Sequence, residues 1–175
     1  MTDQSQLHTR ADAAYVAFVE EAWQRHIRLA MLLTGDRLRA EELLQDSLVK
    51  VYERWRRLSR IDDLHAYLRR SLVNNHAANW RRRRRERLVA EVPDTAAPGG
   101  GTDHDVMVLR RALLSLPPRQ RAVVVLRHYE DLPEREVARV LGCSVGTVKS
   151  QHSRAMEKLR HLMDQPSYRE QVRLA

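Results

Sequence analysis

Cysteine is nearly missing from this 175-residue chain, with Cys143 the only one. A single thiol closes no internal disulfide and provides too few ligands for a thiolate metal site. Glycine and proline number six each and aromatic residues make up 5%. Any core must therefore come mainly from Leu, Val and Ala, a composition that favours helices over sheets. No stretch approaches the roughly 20 apolar residues of a membrane span. The polar start from Met1 to Ala14 also lacks the apolar run of a signal peptide, so a cytoplasmic location without membrane insertion is expected. The eight histidines show no HExxH or other zinc-type spacing. His65 and His76 lie too far apart to share adjacent turns of one helical face, and most histidines are expected at the surface. With no convincing nucleophile–base pair, phosphate loop or metal set, the expectation is no catalysis, cofactor or metal.

What the chain has in quantity is positive charge. Lys and Arg number 31 against 23 Asp and Glu, a formal charge of +8, and the isoelectric point is near 10.3. Such a balance points to a polyanionic partner, nucleic acid ahead of membrane.

Punctuation divides the chain into two helical lobes. From Ala11 to about Arg85, Phe18, Val19, Ala22, Trp23, Ile27, Ala30 and Leu33 form one stripe at helical spacing. Gly35 suits the residue just past a helix end, and Asp36 suits the cap of the next helix. That second helix turns Leu44, Leu48, Val51 and Trp55 inward and Glu41, Glu42, Gln45, Asp46, Lys50 and Glu53 largely outward. A basic connection, Arg56 to Ile61, leads to Asp62-Asp63, which can cap a third helix from Leu64 to about Arg84. Its buried edge is Leu64, Tyr67, Leu68 and Leu72.

Residues 86–105 carry Pro93, Pro98 and Gly99-Gly100-Gly101 without a helical period, and read as a flexible, acidic linker. Helical periodicity returns at Val106. Leu116-Pro117-Pro118 separates one helix from the next, whose core side is Ala122, Val123, Val125, Leu126 and Tyr129. Pro133 can open a short helix holding Val137, Ala138 and Leu141. Gly142 takes a left-handed turn, and Ser144 caps a longer helix from Val145 to about Met163. This is the pattern of a helix-turn-helix. Val145, Val148, Ala155 and Leu159 face inward. Thr147, Lys149, Ser150, Gln151, Ser153 and Arg154 remain for base edges and phosphates. The fold class is all-α, with domains at 11–85 and 106–163 joined by a linker at 86–105.

These motifs resemble a known family. Leu116-Pro-Pro-Arg-Gln-Arg-Ala-Val, Tyr129-Glu-Asp-Leu and Val137-Ala-Arg-Val-Leu-Gly-Cys-Ser-Val-Gly-Thr-Val-Lys-Ser resemble region four of the extracytoplasmic-function (ECF) sigma factors. Leu33-Thr-Gly-Asp, Ala40-Glu-Glu-Leu-Leu-Gln-Asp-Ser-Leu-Val-Lys-Val-Tyr and Arg69-Arg-Ser-Leu-Val-Asn-Asn-His resemble region two. The phrasing is nearest the actinobacterial SigE-like group and extends from about Tyr15 to Leu162. The short tail after that is expected to leave no room for a further sensory domain.

The resemblance implies a subunit that joins core RNA polymerase and directs it to a two-part promoter. Lys149, Ser150, Gln151, Ser153 and Arg154 would read the upstream (−35) element. Arg56, Arg57, Ser59, Arg60, Arg70, Asn74 and Trp80 would serve the downstream (−10) element and its unpaired strand. Arg69 and the run Arg81 to Arg85 would add charge to that groove. Glu42, Gln45, Asp46 and Val49 would meet the clamp helices of the largest polymerase subunit, and the second lobe would meet the flap of the second-largest. An anti-sigma factor is a further partner that the resemblance allows. About 20 linker residues span up to roughly 65 Å, beyond the roughly 50–55 Å between the two promoter elements. The competing reading is a free-standing helix-turn-helix regulator whose first lobe dimerises or binds a ligand.

Overall fold

The computed structural model describes residues 2–58, 63–87 and 104–165, which form helices and their connections without a strand. The helices are α1 (Thr2–Thr34), α2 (Arg37–Tyr52), α3 (Trp55–Leu58), α4 (Leu64–Arg87), α5 (His104–Ser115), α6 (Pro118–His128), α7 (Glu134–Leu141) and α8 (Val145–Met163). The first four make one lobe and the last four the other.

Local chemistry sets most boundaries where the sequence places them. Gly35 adopts φ +73° after α1, and Asp36 accepts a hydrogen bond from the Arg39 amide at 2.9 Å to cap α2. Asp63 caps α4 through the Ala66 amide at 2.8 Å. Pro118 occupies the first turn of α6, where its missing N–H costs nothing. Two helices are longer than expected: α1 begins at Thr2 instead of Ala11, and α4 runs to Arg87. Trp55 starts the short α3 instead of ending α2. The remainder of the expected linker, 88–103, lies outside the described residues, as do 59–62.

The core is continuous across both lobes. Leu29 and Leu33 of α1, Leu44 of α2 and Leu68 and Leu72 of α4 join Leu116, Val123, Leu126, Val137 and Val148 in one buried cluster. Each fully buried Leu contributes about 1.5–3 kcal/mol to folding, and the cluster runs through both lobes. Inside the first lobe, a polar chain ties α2 to α4. Asn75 donates to Ser47 Oγ at 2.9 Å, and Ser47 donates to the Leu43 carbonyl at 2.7 Å.

One expected core residue is exposed, and two histidines are exceptions to the expectation that most lie at the surface. Tyr129 is 43% exposed, because it follows the last turn of α6 as its C-cap and leaves the helical face that Val125 and Leu126 share. His26 and His76 are buried, not at the surface. His26 lies on the stripe of α1 one step from Ile27, and His76 sits where α4 meets the second lobe.

Candidate nucleic-acid interface

The turn between α7 and α8 is built from two local devices. Gly142 ends α7 in the left-handed region at φ +61°, where a side chain would be strained. Ser144 then accepts from the Thr147 amide at 3.1 Å, and its hydroxyl also meets the Thr147 hydroxyl at 2.9 Å. Pro133 gives α7 no side-chain cap, but its fixed φ starts the helix. Val148 and Ala155 anchor α8 in the core, which fixes the direction of every other side chain on it.

On the outward faces, Lys149, Ser150, Ser153 and Arg154 are exposed while Gln151 is half-buried. Lys149 Nζ stands 3.8 Å from Glu134, a loose surface pair that a phosphate can replace. Ser150 donates to the Thr147 carbonyl at 3.0 Å. The surface thus presents two cations and two hydroxyls from the first three turns of a capped helix, the donor set for phosphates and base edges. Behind it, His152 and His128 stack with ring centroids 5.1 Å apart and Nε2 atoms 2.9 Å apart. Burial and then the neighbouring His128 hold His152 below the usual imidazole range.

The residues expected at the downstream element separate into two groups. Arg70 and Asn74 are exposed, one turn apart on α4, and Trp80 is 37% exposed further along it. Arg57 is exposed on α3, which also carries Arg56. Ser59 and Arg60 lie outside the described residues. Arg69 departs from the expected cationic groove. Its side chain is 14% exposed and donates to Glu130 across the lobes at 2.8 Å.

The expected polymerase contacts form a coherent stripe. Glu42, Gln45, Asp46 and Val49 are all exposed, at steps of three and four along α2. Val49 is 56% exposed and Tyr52, one turn on, 51%. An acidic helix face with apolar residues left in solvent is suited to a basic, partly apolar partner.

Sequence reasoning did not anticipate the contact between lobes. Arg121, 7% exposed, donates from Nη1 to the Leu33 carbonyl at 2.5 Å and from Nε to the Leu113 carbonyl at 2.9 Å. Its Nη2 reaches the Leu116 carbonyl at 3.1 Å. These carbonyls end α1 and α5, so one guanidinium satisfies the C-termini of a helix from each lobe. Burial lowers its pKa to about 10, which leaves it charged at neutral pH. Beside it, burial, followed by Arg121 and Arg83, pushes the His76 pKa down to about 4. On the far side, His26 is likewise pushed to about 4 by burial and then by His65, whose Nδ1 lies 3.1 Å from His26 Nε2. The sequence signal for Arg121 was present in Leu116-Pro-Pro-Arg-Gln-Arg, but its partner Leu33 lies 88 residues away.

An exposed acidic helix, a basic helix behind it and a capped helix-turn-helix in a second lobe define a DNA-binding protein of the helix-turn-helix class. Comparison with known proteins gives that class its family. The sigma-70 region 2 profile matches residues 18–86, and the sigma-70 region 4 profile matches 107–159. The RNA polymerase sigma-E factor of Streptomyces avermitilis is 39% identical over 140 residues, covering 79% of this chain and 78% of the relative. The ECF RNA polymerase sigma factor EcfG of Rhodopseudomonas palustris is 31% identical over 140 residues, 77% of this chain and 76% of the relative. The fold is shared with the sigma factor RpoE of Bartonella quintana, solved in complex with the anti-sigma factor NepR. That likeness has a TM-score of 0.67 at 23% identity, covering 87% of this chain and 98% of that one.

The chain belongs to the ECF sigma factors of the sigma-70 family and resembles the sigma-E group within it. It is an alternative sigma factor of RNA polymerase, and the free-standing regulator is not the favoured reading. The family is one of transcription initiation factors. Among the described residues no helix is long and apolar enough to cross a membrane.

Proposed function

We propose that the chain is a two-part promoter reader whose parts are residues 11–85, a linker at 86–105 and residues 106–163. In this reading Lys149, Ser150, Ser153 and Arg154 contact the upstream element, with Gln151 at the margin. Arg57, Arg70, Asn74 and Trp80, together with Arg56, Ser59 and Arg60, serve the downstream element and its melted strand. Glu42, Gln45, Asp46 and Val49 dock on the clamp helices of the largest polymerase subunit, and the second lobe docks on the flap of the second-largest. The protein acts where the polymerase is, in the cytoplasm.

The observation that carries the reading is the exposed polar face of α8, aimed outward by Val148 and Ala155 and started by the Ser144 cap. A consequence follows from the packing of the lobes. Asn74 of α4 and Gln151 of α8 line the same cleft, so residues meant for elements roughly 50–55 Å apart are neighbours here. Both elements cannot be read at once until the lobes separate. A partner of the anti-sigma class, as in the Bartonella complex, would act by holding this arrangement.

Run-off transcription with core polymerase tests the assignment. Each direct base contact contributes about 1–3 kcal/mol, and each phosphate contact adds affinity that falls with salt. Lys149→Ala/Arg154→Ala should therefore lower promoter-specific transcription roughly 10-fold or more, with core binding intact. Gln45→Ala/Asp46→Ala should instead weaken core binding. Unchanged transcription by the first variant overturns the assignment of α8.

A further inference from the structure

Two imidazoles stand behind the outward face of α8 and join it to α6. His128 is the last residue of α6, and His152 lies near the middle of α8. The rings meet at their Nε2 atoms, 2.9 Å apart. At that distance one nitrogen must carry a hydrogen while the other offers its lone pair. A neutral pair therefore holds one proton in the bridge, and the donor ring keeps a bare Nδ1.

A proton added at that bare nitrogen makes the donor ring a cation without breaking the bridge. The bond becomes charge-assisted, and so stronger than a neutral one. A second added proton would put hydrogens on both Nε2 atoms and is resisted by like charge. The pair is thus suited to take up one proton and no more. The surroundings favour His128 as the ring that takes it. His128 is exposed and sits in the last turn of α6, where the helix dipole favours a cation. His152 is half-buried. Burial, His128 and Arg127 of α6 oppose charge on it, and Glu134 of α7 acts the other way.

Glu134 links the pair to the outward face of α8, because its carboxylate also stands 3.8 Å from Lys149 Nζ. One acid thus serves two basic sites. A positive charge on the histidine pair competes for Glu134 and leaves Lys149 to a phosphate. We propose that His128 and His152 form a proton-linked element of the DNA-binding surface. The pair takes up one proton as α8 engages the phosphate backbone, and the lobe binds duplex DNA more tightly as pH falls through the imidazole range. The inference rests on the reading of α8 as a DNA-contacting helix. Linkage is reciprocal, so a phosphate that holds the proton about tenfold more tightly gains up to about the same factor in affinity.

The test is binding of the full chain to a short DNA duplex at fixed ionic strength, read by fluorescence anisotropy from about pH 8 to about pH 6. His26 and His76, near 4, do not titrate in that window. Affinity should rise about 3- to 10-fold as pH falls. Calorimetry in two buffers of different ionisation heat should show that DNA binding takes up protons. His128→Gln and His152→Gln should each remove most of the rise and most of the uptake. His161→Gln, at an exposed position in the last turn of α8, should keep both. Because His128 is exposed, its replacement tests the pair without threatening the fold. A wild-type affinity that does not rise overturns the proposal, as does a rise that survives both pair variants or that His161→Gln removes. Lys149→Ala/Arg154→Ala at about pH 8 separates the two readings. DNA binding that ignores this double variant overturns the reading of α8, and the proton linkage with it. Binding that needs those two cations but takes up no proton overturns the histidine proposal alone.

Discussion

Glu130 sits in the turn between α6 and α7 and accepts from Arg69 of α4 at 2.8 Å, with side chains 13% and 14% exposed. Glu130→Gln keeps the shape of that side chain but removes its charge. The Arg69 guanidinium, whose Nε already lacks a partner, is then left mostly buried without a counter-charge. Exposed ion pairs contribute about 0–1 kcal/mol, and breaking a fully buried one costs about 3–5 kcal/mol. The intermediate exposure of this pair puts the cost at about 1.5–3 kcal/mol. Because the pair spans the lobes, that cost falls on the closed state and should lower its closed-to-open ratio roughly 10- to 100-fold. The assay is fluorescence energy transfer between dyes at Glu20→Cys and Glu157→Cys in a Cys143→Ser background. A urea series would extrapolate small open fractions to water. Arg69→Met and the double variant complete a thermodynamic cycle, in which the double should recover part of the loss because no unpaired charge remains. A coupling energy below about 0.3 kcal/mol, within the additivity error of independent sites, would refute the view that this bridge holds the lobes together.

Acid should loosen the protein before it reaches the carboxylate range. His26 and His76 have folded pKa values near 4 against 6.5 for the free group, so the unfolded chain binds more protons between those limits. Stability is then fully present above about pH 6.5 and falls as pH drops toward 4, by about 1.4 kcal/mol per unit for each histidine. Urea melts across pH 4–7 should show this slope, and His76→Leu should flatten it; an unchanged slope would show that His76 does not carry the effect. The two left-handed glycines should differ in their response to alanine. At Gly142 a Cβ meets nothing within 4 Å, so the loss is the conformational cost alone, about 1–2 kcal/mol. At Gly35 the Cβ also runs into the side chain of Leu114 of the other lobe, so Gly35→Ala should cost more in a urea melt and open the lobes as well. Equal losses would count against close approach at Gly35.

The sequence was most informative where the physics is local. Gly35, Asp36, Asp63, Gly142 and Ser144 each mark a boundary, because a positive φ or a side-chain cap involves atoms at most three or four residues away. The inward face of α8 was legible for the same reason, since Val148 and Ala155 recur at helical steps. Cap and stripe together then leave Lys149, Ser150, Ser153 and Arg154 on the outside. The acidic stripe of α2 followed from the positions of Leu44, Leu48 and Val51.

Where one lobe meets the other, only the tertiary structure decided. Arg69 belongs to a basic stretch and reads as a groove residue, yet it pairs with Glu130, 61 positions away. His76 continues the four-residue steps of Leu64, Leu68 and Leu72, yet the element that it meets there, α6 of the other lobe, is not legible in that stripe. Arg121 bonds a carbonyl 88 residues distant, and backbone carbonyls leave no signature in side-chain order. Composition, caps and periodicity therefore determined an all-α chain with a helix-turn-helix and two charged faces of opposite sign. Tertiary structure determined that the lobes share one core and that Asn74 and Gln151 face a common cleft. The physical reason is range: helix chemistry is settled within a turn, whereas docking depends on which surfaces remain apolar or unpaired once every helix has formed.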